Sequence, residues 1–227
     1  MTAIQQLWHC EQPYVDPYWA YVRTLLHFNG NTTDESTSNV TYANANGASI
    51  NGSLQLDGSG CLDTRSDSNA RCAGASSALA LGTSNFCIET WFKDSPEVEN
   101  SSGIFLIQGA TSQTIRMQTA GNGVLTADAS GGGPGSGVTL FTMGTWVHAA
   151  VTRNGSTFTL WVNGAVGLTW TNSTFNGGSG ATSIWVGSHS SPDSGFTGLL
   201  DSFRVTIGVP RYTAPFVPMT YWPNRGP

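Results

Sequence analysis

The sequence predicts an all-β protein, a two-sheet antiparallel sandwich, on three observations. Residues 144–164 spell a strand, a turn and a second strand: Val147, Ala149 and Val151 alternate with Trp146, His148 and Thr152, then Phe158, Leu160 and Val162 alternate with Thr159, Trp161 and Asn163. That is the period of two of a pleated strand, with Asn154-Gly155 between the halves as residues that tolerate positive φ. Charged residues make up only 10% of the chain while Gly numbers 28, and Ser, Thr and Asn fill the gaps between short apolar runs, as in strands joined by polar loops. No window places apolar residues at helical spacing between capping signals. At 227 residues one domain is expected, because sandwiches of this size are common as single domains.

The elements follow in order. Residues 1–15 hold Leu7, Trp8, Cys10 and Tyr14 without alternation and read as an arm, its aromatics either folded back on the sandwich or docked on a neighbouring subunit. The core begins at Leu25 to Phe28, and residues 29–39 form a polar loop carrying Asp34 and Glu35. Strands are expected at 49–57, at 79–81, at 86–93, at 103–108 (buried) and at 114–118 (half-buried). The Gly-rich stretch 127–137 reads as a surface loop. After the hairpin, Asn163-Gly164 turns the chain into a third strand over 166–170, and residues 173–182 and 187–195 form long loops.

A formal net charge of −5 with a single Lys, Lys93, argues against nucleic acid as a partner, since phosphate recognition needs clustered Lys and Arg. No apolar run reaches the length of a membrane-spanning helix, and the N-terminus lacks the basic start and apolar core of a signal peptide, so neither membrane insertion nor signal-peptide export is expected. Cys10, Cys61, Cys72 and Cys87 form no C-x-x-C pair, which speaks against zinc; Cys61 and Cys72 bracket a polar loop that a disulfide could close, or they remain buried thiols.

The hairpin phrase G-x-W-x-H-x-A-x-x … F-x-L-x-V-N-G resembles the laminin-G-like members of the concanavalin A-like jelly-roll superfamily. Other parts of that pattern lie in the right order: Asp16-Pro-Tyr-Trp19 with Leu25-Leu-His-Phe28, Phe86-Cys-Ile-Glu-Thr-Trp91-Phe92, Ile184-Trp-Val-Gly187 and Phe196 to Val205. The resemblance implies a jelly roll over residues 16–218, with 1–15 as an N-terminal arm and 219–227 as a C-terminal tail. The opening D-P-Y-W and the closing D-x-F-R-V-T-x-G-V-x-R-Y-T resemble the variant found in bacteriophage virion and tail-associated proteins. That implies a non-enzymatic virion subunit, in a tail fibre or decorating a capsid, assembled in the host cytoplasm with other virion proteins as a homo-oligomer, a trimer, and contacting host-surface glycan. A free carbohydrate-binding lectin is the alternative and a glucanase-type hydrolase the poorest reading.

The hydrolase is disfavoured because such enzymes work with paired carboxylates, whereas Glu89 stands alone in its strand and Glu97 and Glu99 fall in a loop. His148 has no nucleophile and Asp placed beside it to form a triad, and its position matches a family His that the resemblance implies is structural. The resemblance also implies a structural Ca²⁺ at Asp201, with Asn29, the carbonyl of Gly30 and Asp34 as further ligands, although Asn29 stands where relatives commonly carry Asp; the alternative is that Asp201 caps a turn. Eight Trp exceed what one core easily absorbs, so Trp161, Trp170 and Trp185 are candidates for glycan or subunit contact, and Trp8 and Tyr14 for assembly through the arm.

Overall fold

The computed structural model describes residues 15–95, 101–120, 122–129, 139–189 and 195–226. Over these the chain is the expected sandwich of two antiparallel sheets. In chain order the strands are β1 (Val22–Leu26), β2 (Tyr42–Ala45), β3 (Ser49–Asn51), β4 (Cys61–Asp63), β5 (Arg71–Ser76), β6 (Phe86–Asp94), β7 (Ser101–Gln108) and β8 (Thr114–Ala120). They continue with β9 (Val124–Ala129), β10 (Thr139–Leu140), β11 (Val147–Asn154), β12 (Thr157–Val162), β13 (Ala165–Thr171), β14 (Thr182–Val186) and β15 (Gly198–Ile207). The first sheet has the order β13-β12-β11-β6-β15-β4-β3, with β1 also paired to β15; the second has the order β10-β9-β8-β7-β14-β5-β2.

Alternation sorts the side chains. Phe86, Ile88 and Phe92 of β6, Val147, Ala149 and Val151 of β11 and Phe158 and Leu160 of β12 face Phe105 and Ile107 of β7, Ile115 and Met117 of β8 and Ile184 and Val186 of β14 in one apolar core. Full burial of each large side chain contributes about 1.5–3 kcal/mol, which makes this layer the main source of cohesion. In β15 the alternation is broken once, at Ser202, which takes a left-handed φ of 58° where the pairing with β6 shifts register. Phe203 and Val205 therefore point into the core and Arg204 and Thr206 point out of it.

Several expectations are corrected. The strand at 49–57 ends at Asn51; beyond it Leu54 is exposed, and the backbone amides of Leu56 and Asp57 turn to the Asp201 carboxylate. The strand at 79–81 is a 3-10 turn, Ser77–Leu79, whose first amides are capped by the Ser76 hydroxyl accepting from the Ala78 N–H. Residues 127–129, expected in a loop, complete β9, and the remainder of that Gly-rich stretch to 137 lies outside the described residues. Cys61 and Cys72 are free, buried and in opposite sheets, and burial pushes both thiols up to about 12.

The outer face of the first sheet is covered by the chain itself. Residues 208–226 cross it and bury Trp222 with Val22, Leu25 and Trp91, while Tyr212 and Phe216 pack over Cys87, Ala150 and Trp161. Residues 219–227, expected as a tail, thus include a fully buried indole. The crossing segment is tied at its end, where the Asp16 N–H donates to the Arg225 carbonyl and the His27 Nε2–H to the Trp222 carbonyl.

Candidate functional site

The two outer faces differ in what they offer. On the first sheet one row of neighbours reads Leu25, Arg204, Glu89, Ala150 and Trp161, across β1, β15, β6, β11 and β12. Glu89 is fully buried, accepting from Arg204 Nη2 at 2.8 Å, from the Tyr212 hydroxyl at 2.8 Å and lying 3.1 Å from His148 Nε2. Burial alone would raise this carboxyl, but Arg204, His148 and Arg211 outweigh it and hold Glu89 well below the usual carboxylate range. Arg204 also reaches Asp16 at 3.2 Å, and Arg211 clasps the same Asp16 carboxylate with both terminal nitrogens. His148 is walled by Trp91, Phe216 and Trp222 in edge contacts. A cavity of about 170 Å³ opens beside this network, lined by Tyr18, Arg204, Arg211, Phe216, Met219 and Trp222 among others. Glu89 is therefore the hub of an ion network beneath residues 208–226, the strap over this sheet, and His148 is buried within it.

On the second sheet the corresponding row reads Ala73, Trp185, Leu106, Arg116 and Asp128, across β5, β14, β7, β8 and β9. Side chains one strand apart on one face sit about 4.5–5.5 Å from each other, so this row is a continuous surface. Trp185 is half-buried, and the Arg71 guanidinium lies over its ring, 4.7 Å from the centroid. Arg116 pairs with Asp128. His189 packs against Gly103 beside them, and burial together with the Arg116 charge holds its imidazole below the usual range, so it is neutral at pH 7. Three polar atoms of these side chains are buried without a hydrogen-bond partner: Arg71 Nε, Gln118 Oε1 and His189 Nδ1.

Of the three tryptophans singled out by the sequence, the structure leaves only Trp185 on an open face. Trp161 is buried under Tyr212 and Phe216 with its indole N–H donated to Thr152, and Trp170 is buried in the core, stacked on Phe158. Neither can offer a ring face to a ligand, which corrects that expectation. Arg116 and Gln118 were legible, since both alternate with the buried Ile115 and Met117; Arg71 and His189 fell in segments read as loops. Trp8 and Tyr14 lie outside the described residues.

The residues expected to hold Ca²⁺ do not fit one. Asp34 spends both oxygens on the backbone amides of Leu25, Ser36 and Val40 and on the Ser36 hydroxyl, and Asn29 Oδ1 accepts from the Ser59 amide. Gly30 sits in a tight turn, its N–H donated to the Phe28 carbonyl. Asp201 Oδ2 accepts from the Leu56 and Asp57 amides, and burial raises its carboxyl to about 6. Asp201 is the turn cap. Among the described residues there is no group of three or more His, Cys, Asp or Glu that could hold a metal.

A profile of the laminin G type within the Concanavalin A-like lectin/glucanases superfamily matches residues 65–207, and the chain belongs to that family. Among solved structures it is similar to domain 4 of an extracellular arabinanase from Geobacillus stearothermophilus in complex with arabinotriose, with 17% identity and a TM-score of 0.63 over 82% of this chain and 92% of that one. It is also similar to the binding domain of Paraclostridial Mosquitocidal Protein 1, with 13% identity and a TM-score of 0.60 over 83% and 49% of the two chains. A third similar structure is the ligand binding domain of botulinum neurotoxin serotype D in complex with N-acetylneuraminic acid, with 13% identity and a TM-score of 0.60 over 83% and 48%. The chain spans about half the length of the two toxin domains, and at these identities the likeness is one of fold. None of the curated proteins searched matches the sequence.

Proposed function

We propose that the chain is a non-catalytic carbohydrate-binding module of a bacteriophage virion, a tail-fibre, receptor-binding or capsid-decorating subunit that takes host-surface glycan on the outer face of its second sheet. One observation carries the binding reading: the first sheet's outer face is covered by residues 208–226, whereas the second presents the half-buried Trp185, with Arg71 laid over its ring and Arg116 and Gln118 on the same face. A partly exposed indole beside guanidinium donors suits a sugar, whose C–H groups pack on the aromatic while its hydroxyls bond sideways. The arabinotriose and N-acetylneuraminic acid bound by two similar structures support a glycan as the ligand class. The virion assignment is supported by the opening and closing sequence phrases.

Hydrolysis is disfavoured by the state of the acids. Glu89 is ionised and sealed, and Asp57 and Asp201, which do approach each other, border a crevice without room for a water molecule. The test is a screen of immobilised glycans followed by calorimetry on the hits. Trp185→Ala should weaken binding by about tenfold or more with an unchanged melting temperature. Glycan affinity indifferent to Trp185→Ala, or turnover of a bound saccharide, would overturn the proposal.

A further inference from the structure

Resting on the reading of this face as a glycan site, we infer that its ligand is an acidic saccharide, whose anionic group pairs with Arg71 while its ring lies against the Trp185 edge of the row. The charges around Trp185 are unequal. Arg116, two strands to one side, is neutralised by Asp128. Arg71, on the adjacent strand to the other side, has no carboxylate partner among the described residues: its Nη1 donates to the Asn69 carbonyl at 3.4 Å, its plane is held over the indole, and its Nε is buried without a partner. Arg65, Arg116, Arg204 and Arg211 each pair with a carboxylate, and buried Arg153, which does not, spends its donors on the Gly155 and Ser84 carbonyls, whereas Arg71 has the Asn69 carbonyl alone among the described residues. Stacking on Trp185 instead fixes the planar guanidinium, and with Nη1 turned to the Asn69 carbonyl and Nε buried it is Nη2 that can meet a planar or tetrahedral anion.

The site has the right extent. Arg71 and Arg116 stand three strands apart on one face, roughly 14 Å at the usual strand spacing. Between them lie Trp185 and the largely buried Leu106, with Gln118 on the same face, a span that suits a short saccharide lying across the strands with its acid at the Arg71 end. Neutral His189 can accept or donate to a hydroxyl and does not compete for the anion.

Two matched pairs of probes separate charge from sugar shape: trigalacturonate against its carboxyl-reduced counterpart, and a sulfated galactan oligosaccharide against its desulfated form. The inference expects the acidic member of at least one pair to bind about tenfold tighter at low salt, with the preference shrinking as salt rises. The pair that shows it distinguishes carboxylate from sulfate. Arg71→Gln should erase the preference, leaving the acidic and neutral members of the pair with equal affinity, and Arg71→Lys, which keeps the charge but loses the fork, should retain part of it. The salt dependence of the unmodified protein gives the same answer should Arg71→Gln not fold. Equal affinity for acidic and neutral members, or a preference untouched by Arg71→Gln, overturns the inference; a failure of every saccharide to bind overturns the glycan reading beneath it.

Discussion

Two buried carboxylates of the first sheet respond to burial in opposite directions, and the difference lies in their partners. Glu89 faces Arg204, His148 and Tyr212, and its folded-state affinity for protons falls below that of the unfolded chain. It therefore contributes stability that is present above the ordinary carboxylate value of 4.5 and is lost as pH falls through the lower folded value. Glu89→Gln leaves buried Arg204 with only Asp16, a carboxylate it shares with Arg211, and should cost about 3–5 kcal/mol in denaturant melts. A loss below about 1 kcal/mol would show that the network is not what holds the strap. Asp201 has only backbone amides and the Ser202 hydroxyl, so burial wins and raises it from 3.8 to about 6. The folded state then holds the proton longer, and this group's contribution, complete below 3.8, is lost as pH rises through 6. Asp201→Asn keeps an oxygen for the Leu56 and Asp57 amides and removes that loss. Relative to the unmodified protein, the variant should gain melting temperature between pH 4 and 6 and hold the gain at pH 8; a difference flat with pH would refute the account. Both acids were visible in their strands, but their opposite behaviour was not, because it depends on residues from distant parts of the chain.

At the scale of elements, the hairpins show how local chemistry decides a turn and where it stops deciding. Asn163 and Gly164 both take positive φ, 48° and 78°, between paired Val162 and Ala165, as their residue types indicate. In the preceding hairpin Asn154 pairs with Thr157, so the two turn residues are Gly155 and Ser156, one position beyond the expected Asn-Gly, with only Gly155 left-handed at 62°. The shift follows from the neighbours: the Gly155 N–H is taken by Asn85 and its carbonyl by Arg153. A side chain at Gly155 meets open space, so Gly155→Val tests backbone conformation alone. It should destabilise the fold by about 1–2 kcal/mol, and an unchanged unfolding midpoint would exclude a strained φ there. The expected strand at 49–57 failed for the complementary reason, since its polar-apolar alternation was real but its amides found Asp201 in place of a partner strand.

The C-terminal segment buries the outer face of the first sheet while Trp185 stands half-buried on the outer face of the second, so any partner that binds the Trp185 row approaches from the side opposite the strap. Asp16, where the described chain begins its first turn, is pinned by Arg204 and Arg211 on the strap side. We expect a homotrimer: light scattering should give a mass well above 23.9 kDa, and deleting residues 1–15 should leave the sandwich folded while preventing incorporation into particles. A monomer at high concentration, or a truncated chain that still joins the virion, would eliminate this arrangement.

What the sequence determined by itself was the alternation, and with it the two sheets, the hairpin from β11 to β13 and the identity of the core residues of β6, β11 and β12. A period of two states which side chains share a face, and nothing more. Which face meets the other sheet, and which is later covered, was settled by contacts across the chain: Tyr212 reaches Glu89 over 123 residues and Trp222 reaches His27 over 195. Those contacts covered Trp161 and left Trp185 half-exposed, because the apolar area of residues 208–226 could be buried on only one of two faces that look alike in sequence.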